Sequence, residues 1–469
     1  MSRGKKLIGN TLILGLGKFL PQLTSLITLP IYTGILLSEE YGRYDLINTI
    51  VYILDIIVLV QIQQAVFRFL IDARKTDKAS VYISTTYAFE IIPSIISSVV
   101  FGLFFLHLSI ETAILLSLYN FICLQYSIVG QVARGLGYNK TYAFGAVIQS
   151  VLNMILVVLL MCVLNFGFNG LILSLDISYL IGTIVQFIIC KQWKYLQKNS
   201  LNLKSLKEML GFSWPMVPNT LSIWIINTCD KFIVRIFLGL EYNGIFAVAQ
   251  KIPNIFTMAY STFNLAWQES ASITVKDKDY DKYYNEVFSA LFDFLTGCIL
   301  ILIAASPVLF KILIHGSYEE AYDQMPLLYF GVFFSSLSSF FGSIYIAKKA
   351  TKAVGVSSAI GAVINAIVNI SLVHFIGLYA ASISTIVSYL ALVVYRMVDI
   401  ERKKYVHIEY KKKRIILCMM LIISCSILCY MKNPVFNIVN IFIAIVSFII
   451  LNLSFIRKIK LFIVSKINN

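Results

Sequence analysis

The stretch Gly211–Lys251, GFSWPMVPNTLSIWIINTCDKFIVRIFLGLEYNGIFAVAQK, decides how the rest of the chain is read. An apolar, proline-marked run carries Asp230, Lys231 and Arg235 towards its end and passes through a short turn into a second apolar run. The same order has already occurred once, from Leu7 to Val60. There Lys18 and Pro21 lie inside an apolar run, and the turn Ser38-Glu39-Glu40-Tyr41-Gly42 follows. Glu40-Tyr41-Gly42 in the first copy matches Glu241-Tyr242-Asn243-Gly244 in the second. A cation inside a membrane span costs about 2.5–3.5 kcal/mol at a helix centre on insertion scales. Two such spans, each opening half of a duplicated chain, are where function is expected.

Outward from these openings the chain is apolar almost throughout: 58% hydrophobic, 13% charged, mean hydropathy +0.81. A helix crosses a bilayer with about 20 apolar residues, and fourteen such runs are predicted. They cover 7–36, 44–69, 81–108, 110–133, 141–165, 170–190, 208–238, 243–268, 284–314, 321–347, 354–376, 378–398, 414–431 and 435–456. The ten-residue alternation of a membrane barrel is missing. The fold class is therefore an all-α polytopic membrane protein.

The duplication runs through six spans. Phe89-Glu90 of the third pairs with Phe292-Asp293 of the ninth. Gly145-Ala146-Val147-Ile148-Gln149-Ser150-Val151-Leu152-Asn153 pairs without a gap with Gly361-Ala362-Val363-Ile364-Asn365-Ala366-Ile367-Val368-Asn369. Ser178-Tyr179-Leu180 pairs with Ser388-Tyr389-Leu390. Six is even, so both copies start on the same side, as two parallel six-helix repeats. The expected domains are 1–200, 201–400 and an appended basic linker and helix pair, 401–469.

The net charge of +15 excludes little until its positions are considered. Of the 39 Lys and Arg, 32 fall in one set of alternate loops, at the span ends beside them or in the two tails. Arg43, Lys311 and Lys432 fall in the opposite set, and Lys18, Lys231, Arg235 and Lys251 lie within spans. By the positive-inside rule both termini are expected in the cytoplasm, and the basic clusters at 191–207 and 402–414 read as orientation signals and anionic-lipid contacts. No nucleic-acid module is present. The N-terminal apolar run is too long for a signal peptide and is read as a retained first span. The eight cysteines sit in or beside apolar runs without a Cys-x-x-Cys pair, and the four histidines are scattered. Neither a disulfide framework nor a metal site is expected. A phosphate-binding loop is also absent, and the outward loops are too short to hold a catalytic domain. The chain is expected not to be an enzyme and to need no cofactor.

The polar residues within spans fall on stripes. Lys18 shares one with Gln22 in the first span, and Gln64 shares one with Arg68 in the second. Asn227, Lys231 and Arg235 line the seventh span, and Lys251 and Asn254 the eighth. These nine are the candidate substrate-binding residues, since intramembrane charges usually face a watery cavity. Arg68 and Arg235 also lie near span ends, where they can snorkel. The acids Glu90, Asp293, Asp55, Asp230 and Asp176 are candidates for coupling. A buried carboxyl can carry a proton, or it can simply neutralise a cavity lysine, and both readings stand. Asp230 points about 100° away from Lys231 around the helix, so another helix is expected to supply its partner.

With those residues in view, the chain resembles the polysaccharide-repeat flippases of the Wzx type, which serve O-antigen and capsule synthesis. These belong to the multidrug/oligosaccharidyl-lipid/polysaccharide exporter superfamily. The resemblance is carried by Pro30 with Ser38-Glu39-Glu40-Tyr41-Gly42-Arg43-Tyr44. It is also carried by Asp230-Lys231-Phe232-Ile233 leading to Leu238-Gly239 and Gly244-Ile245-Phe246, and by Gly145 to Asn153. It implies two six-helix lobes around a central cationic cavity, alternating access, and an undecaprenyl-diphosphate-linked oligosaccharide as substrate. It further implies a bacterial cytoplasmic membrane location and a polysaccharide polymerase as partner. The rival expectations are a flippase for lipid II or a teichuronic acid unit, a multidrug/cation antiporter, and a membrane enzyme of glycan assembly.

Overall fold

The computed structural model describes residues 20–467 apart from 74, 75, 77, 198, 199, 276, 278 and 349. Lys18 lies outside the described residues, as does the side chain of Asn227. Every regular element among the described residues is helical. By contacts the chain divides into two compact units, Met1–Thr228 and Cys229–Asn469.

In the first unit a helical stretch at 20–27 precedes α1 (Leu29–Ile35), which has Pro30 in its first turn, where a missing N–H is harmless. The segment expected as a turn at 38–42 is instead the first turn of α2 (Ser38–Val58). Glu40 Oε2 accepts the Leu37 N–H at 3.0 Å, and two acids suit the positive helix end. A break follows before α3 (Ile62–Ala73), with a bend of 56°. Then come α4 (Lys78–Phe104), α5 (Ile110–Gly135), α6 (Asn139–Val157, ending in a π turn at Val158–Val163) and α7 (Gly167–Ile189). Two clusters hold the unit together. Ile47, Val51, Phe101, Leu116 and Ile172 join α2, α4, α5 and α7. Ile62, Val66, Ile83, Leu124 and Met209 join α3, α4 and α5 to α8 (Leu203–Ser213).

The break at Trp214 and Pro215 starts α9 (Met216–Leu238), which runs through the division between units. The second unit continues with α10 (Leu240–Ala249), α11 (Lys251–Thr274), α12 (Tyr280–Leu313), α13 (Glu319–Ala347), α14 (Thr351–Ile376) and α15 (Tyr379–Arg402). The region 241–244, again expected as a turn, is the start of α10. Helices α16 (Lys412–Tyr430) and α17 (Pro434–Ile467) are held to α12. At Gly297 of α12 a Cβ would stand 2.6 Å from the Phe448 ring, so only glycine lets α17 approach this closely.

Ten of these helices are long and apolar enough to cross a membrane, or eleven spans with the bent pair α2/α3. They coincide with eleven of the fourteen expected runs within a few residues, apart from α17, which extends well beyond the run at 435–456. Of the other three, the first is only partly described. The seventh (α9) is interrupted by Asp230, Lys231 and Arg235, and the eighth is divided between α10 and α11. The protein is a multi-pass membrane protein, and its connections are short: 136–138, 164–166, 314–318 and 431–433 are whole loops.

Candidate functional site

Asp230 on α9 has the most hydrogen-bond partners of any acid among the described residues. Its carboxylate faces α14 and α15, which supply the partners expected from another helix. Asn369 Nδ2 donates to Oδ1 at 2.8 Å and Thr385 Oγ1 to Oδ2 at 3.0 Å. Asn365 Nδ2 (3.4 Å) and Ser384 Oγ (3.5 Å) stand at the limit of bonding distance. Asn369 and Ser384 are fully buried. The Oδ1 atoms of Asn365 and Asn369 are buried too, and neither has a hydrogen-bond partner. A carboxylate beside two unsatisfied amide oxygens is an acceptor-rich set that lacks one positive centre. A proton on Asp230, or a small monovalent cation held by oxygens alone, would satisfy it. No group of three His, Cys, Asp or Glu is placed to hold a metal among the described residues.

The duplication supplies an internal control. Gln149 and Asn153 of α6 match Asn365 and Asn369, and Ser174 and Ser178 of α7 match Ser384 and Ser388. In the first unit these groups bond each other: Ser174 Oγ donates to Asn153 Oδ1 at 3.1 Å and Gln149 Nε2 to Ser178 Oγ at 3.4 Å. The register of Glu40 and Glu241 sets Leu29, an apolar and fully buried residue, where Asp230 stands. The amide and hydroxyl frame therefore closes without an acid, and the carboxylate is an addition specific to the second unit.

Glu90 and Asp293 hold matching places on α4 and α12 but have different partners. Glu90 is fully buried, and its Oε2 accepts from Ser94 Oγ (2.8 Å) and Gln125 Nε2 (2.9 Å). Asp293 pairs with Arg414 Nη2 at 2.5 Å, and its backbone oxygen accepts from Asn452 Nδ2 at 3.4 Å. Both partners belong to the terminal helix pair, so that pair is tied to the acid of one repeat only. Asp55 accepts from Gln63 Nε2 at 3.1 Å. Asp176 is buried, with neither oxygen bonded.

The cationic stripes lie elsewhere. Lys231 and Arg235 are half-buried on α9, and Lys251, also half-buried, opens α11. On α11 Asn254 and Ser261 are exposed. Another face of this helix is packed on α13, where Tyr260 Oη donates to Ser336 O (2.6 Å) and Trp267 stacks on Phe340 at 4.7 Å. Gln22 is exposed and Gln64 half-buried. Arg68 is exposed and paired with Asp72 at 2.6 Å, one turn further along α3.

Arg396 was not among the candidate residues. It stands near the end of the expected run 378–398, inside α15, and is 4% exposed. Its Nη1 donates to Ser338 O at 2.7 Å, Nε to Ser357 Oγ at 3.1 Å and Nη2 to Ser358 Oγ at 3.0 Å. It thereby joins α13, α14 and α15. The apolar flanks Met397, Val398 and Ile400 were the available signal.

The sequence profile of the family described as "Polysaccharide biosynthesis protein" matches residues 7–267, more than half of the chain. The chain belongs to that family. Among solved structures, the chain is similar to "Lipid II flippase MurJ, inward closed conformation", with 16% identity and a TM-score of 0.68. That match covers 96% of this chain and 99% of the other. It is also similar to an inward-facing multidrug resistance MATE family transporter (15% identity, TM-score 0.59, covering 84% and 94%). A MOP superfamily transporter from Pyrococcus furiosus matches as well (14%, 0.55, covering 84% and 95%). No curated protein matches by sequence. At these identities the likeness is one of fold.

Proposed function

We propose that this protein is a flippase moving undecaprenyl-diphosphate-linked oligosaccharide repeat units across a bacterial cytoplasmic membrane for surface polysaccharide synthesis, by alternating access. One observation carries the reading within its family. The likeness to a lipid flippase extends over 96% of the chain, against 84% for the multidrug transporters. The full length of the chain, terminal helices included, thus favours a lipid-linked substrate over a drug. All fourteen expected spans, with both ends in the cytoplasm and two six-helix repeats, belong to this proposal.

In this reading Lys18, Lys231 and Lys251 take the diphosphate through charge-assisted contacts. Arg235, Arg68, Gln22, Gln64, Asn227 and Asn254 add charge and hydrogen bonds for the head group. Outward movement of two negative charges from a negative interior gains about 2.3 kcal/mol each per 100 mV, about 4–5 kcal/mol together. Asp230 is the coupling candidate that the geometry favours, with Glu90, Asp293, Asp55 and Asp176 behind it. The protein is not an enzyme in this proposal, since its short loops leave little room for catalytic groups. A polysaccharide polymerase takes over the product outside.

The test is complementation of a flippase-null cell, read as surface polysaccharide, beside a lipid II flippase-depleted strain. Rescue of the first alone supports the proposal. Rescue of the second alone moves the substrate to lipid II, and rescue of neither, at normal membrane levels, refutes it.

A further inference from the structure

The second membrane span of the first unit is broken in an unusual way. Between α2 and α3 two consecutive residues are left-handed, Val60 at φ 49° and Gln61 at φ 57°. Neither is glycine, and a β-branched residue in that region is a genuine outlier. Such strain persists only where the surroundings over-determine it, and it gathers at switch regions. The break also lies close to the boundary between the two packing clusters of the unit. Ile47 and Val51 of α2 belong to one, and Leu59, Ile62 and Val66 on either side of the break to the other.

Among the described residues one side-chain hydrogen bond bridges the break. Asp55, one turn before it, accepts at Oδ2 from Gln63 Nε2, just after it, at 3.1 Å. Gln63 is 2% exposed. The other two atoms of this pair, Asp55 Oδ1 and Gln63 Oε1, are buried and lack partners at ordinary geometry. Ser127 of α5 approaches the same carboxyl at looser geometry. Tyr52 of α2 and Cys123 of α5 are the titratable groups within electrostatic reach, and Asp176 of α7 stands beyond Cys123. Among the described residues no ion pair involves Asp55. Asp55 Oδ1 and Gln63 Oε1 are both acceptors, so an acid–amide pair joined by one hydrogen bond can gain a second between them only with a proton.

We propose that Asp55 and Gln63 form a proton-binding latch across the break in the second span. A proton on Asp55 Oδ1 donates to Gln63 Oε1 and, with the existing bond, closes a two-bond ring that fixes the bend. When the proton leaves, the ring keeps one bond and sets a carboxylate oxygen against an amide oxygen, and the strained turn is held less firmly. The latch adds a proton-controlled hinge to the export reading, and its test needs no substrate, so the two can fail separately.

The test is hydrogen exchange of the full chain in phospholipid nanodiscs, corrected for intrinsic rates, between about pH 5 and about pH 8.5. In the wild type, amides across 59–64 should lose protection several-fold as pH rises, while those of α5 stay constant. Asp55→Asn supplies both bonds without a proton and should stay protected at every pH. Gln63→Glu forms a pair of acids that must share a proton, so loosening should move to higher pH. A wild type without pH dependence at 59–64 overturns the latch, and so does a dependence that survives in Asp55→Asn. Should Asp55→Asn fail to fold, an unmoved midpoint in Gln63→Glu overturns it equally.

Discussion

Replacing Asp230 separates its structural part from its coupling part. In Asp230→Ala the Ser384 and Thr385 hydroxyls lose the carboxylate but keep Ala381 O, which each already reaches at 2.9 Å. The loss therefore falls on the amides, mainly on Asn369 at 2.8 Å, since Asn365 at 3.4 Å was weakly bound. A hydrogen bond to a charged group contributes about 1.5–3 kcal/mol in soluble proteins, and side-chain bonds between membrane helices average about 0.6 kcal/mol. The expected cost of Asp230→Ala is about 1–3 kcal/mol. In Asp230→Asn an amide oxygen still accepts from Asn369, and the new NH₂ can donate to the unsatisfied Asn365 and Asn369 oxygens. Its cost should stay below about 1 kcal/mol by the same accounting. Coupling is the discriminating readout. A ligand at a hundred times its Kd stabilises by about 2.7 kcal/mol, so wild-type stability should respond to sodium or to acid, with choline as control. Asp230→Asn should respond to neither. Denaturation curves of both variants in lipid, with export measured beside them, decide the matter. If Asp230→Asn keeps the full response, Asp230 does not hold the coupling ion. If it is as unstable as Asp230→Ala, the carboxylate serves the fold.

Lys231→Ala and Lys251→Ala should reach the membrane in normal amounts and lose most surface polysaccharide, with Arg retaining part and Glu none. Full export by both Ala variants would refute phosphate capture there. Cysteines introduced near Glu241 and Glu320 should react with an impermeant reagent from outside, and those near Lys194 and Lys403 should not. The reverse pattern would sink the topology. Arg396→Met leaves three serines without their shared donor and should cost about 1–3 kcal/mol, read by denaturation in lipid. An unchanged curve would mean that the three helices do not depend on this guanidinium. Gly297→Leu should release α17 from α12, seen as protease sensitivity at 405–411, whereas resistance equal to the wild type would deny the close contact.

The apolar skeleton was legible in the sequence because length and hydropathy alone define a span. Helices such as α4, α7, α13 and α15 start within about three residues of the runs that predicted them. Helix beginnings were less legible. Ser38-Glu39-Glu40-Tyr41-Gly42 has the composition of a turn, yet Glu40 caps Leu37 and the helix starts there. Arg396 was passed over because a charge near a span end normally marks the surface, and only three serines from two other helices reveal its burial. The partners of Asp230 were unreadable for the same reason, since they lie more than 130 residues away in sequence.

The two repeats separate what a duplicated frame needs from what function has added. Gln149, Asn153, Ser174 and Ser178 show that the frame of amides and hydroxyls satisfies itself without charge. Its copy in the second unit leaves two amide oxygens unbonded and surrounds a carboxylate instead. A group that one copy does without is not required by the architecture, and burying it is costly. The same contrast applies to Asp293, which has Arg414 where Glu90 has only neutral partners. In both cases the second unit carries the additional charge, as Asp55 and Asp176 do in the first, where the second has Phe256 and Ile386. Ion coupling is therefore better sought in acids specific to one unit than in a symmetric mechanism shared by the two repeats.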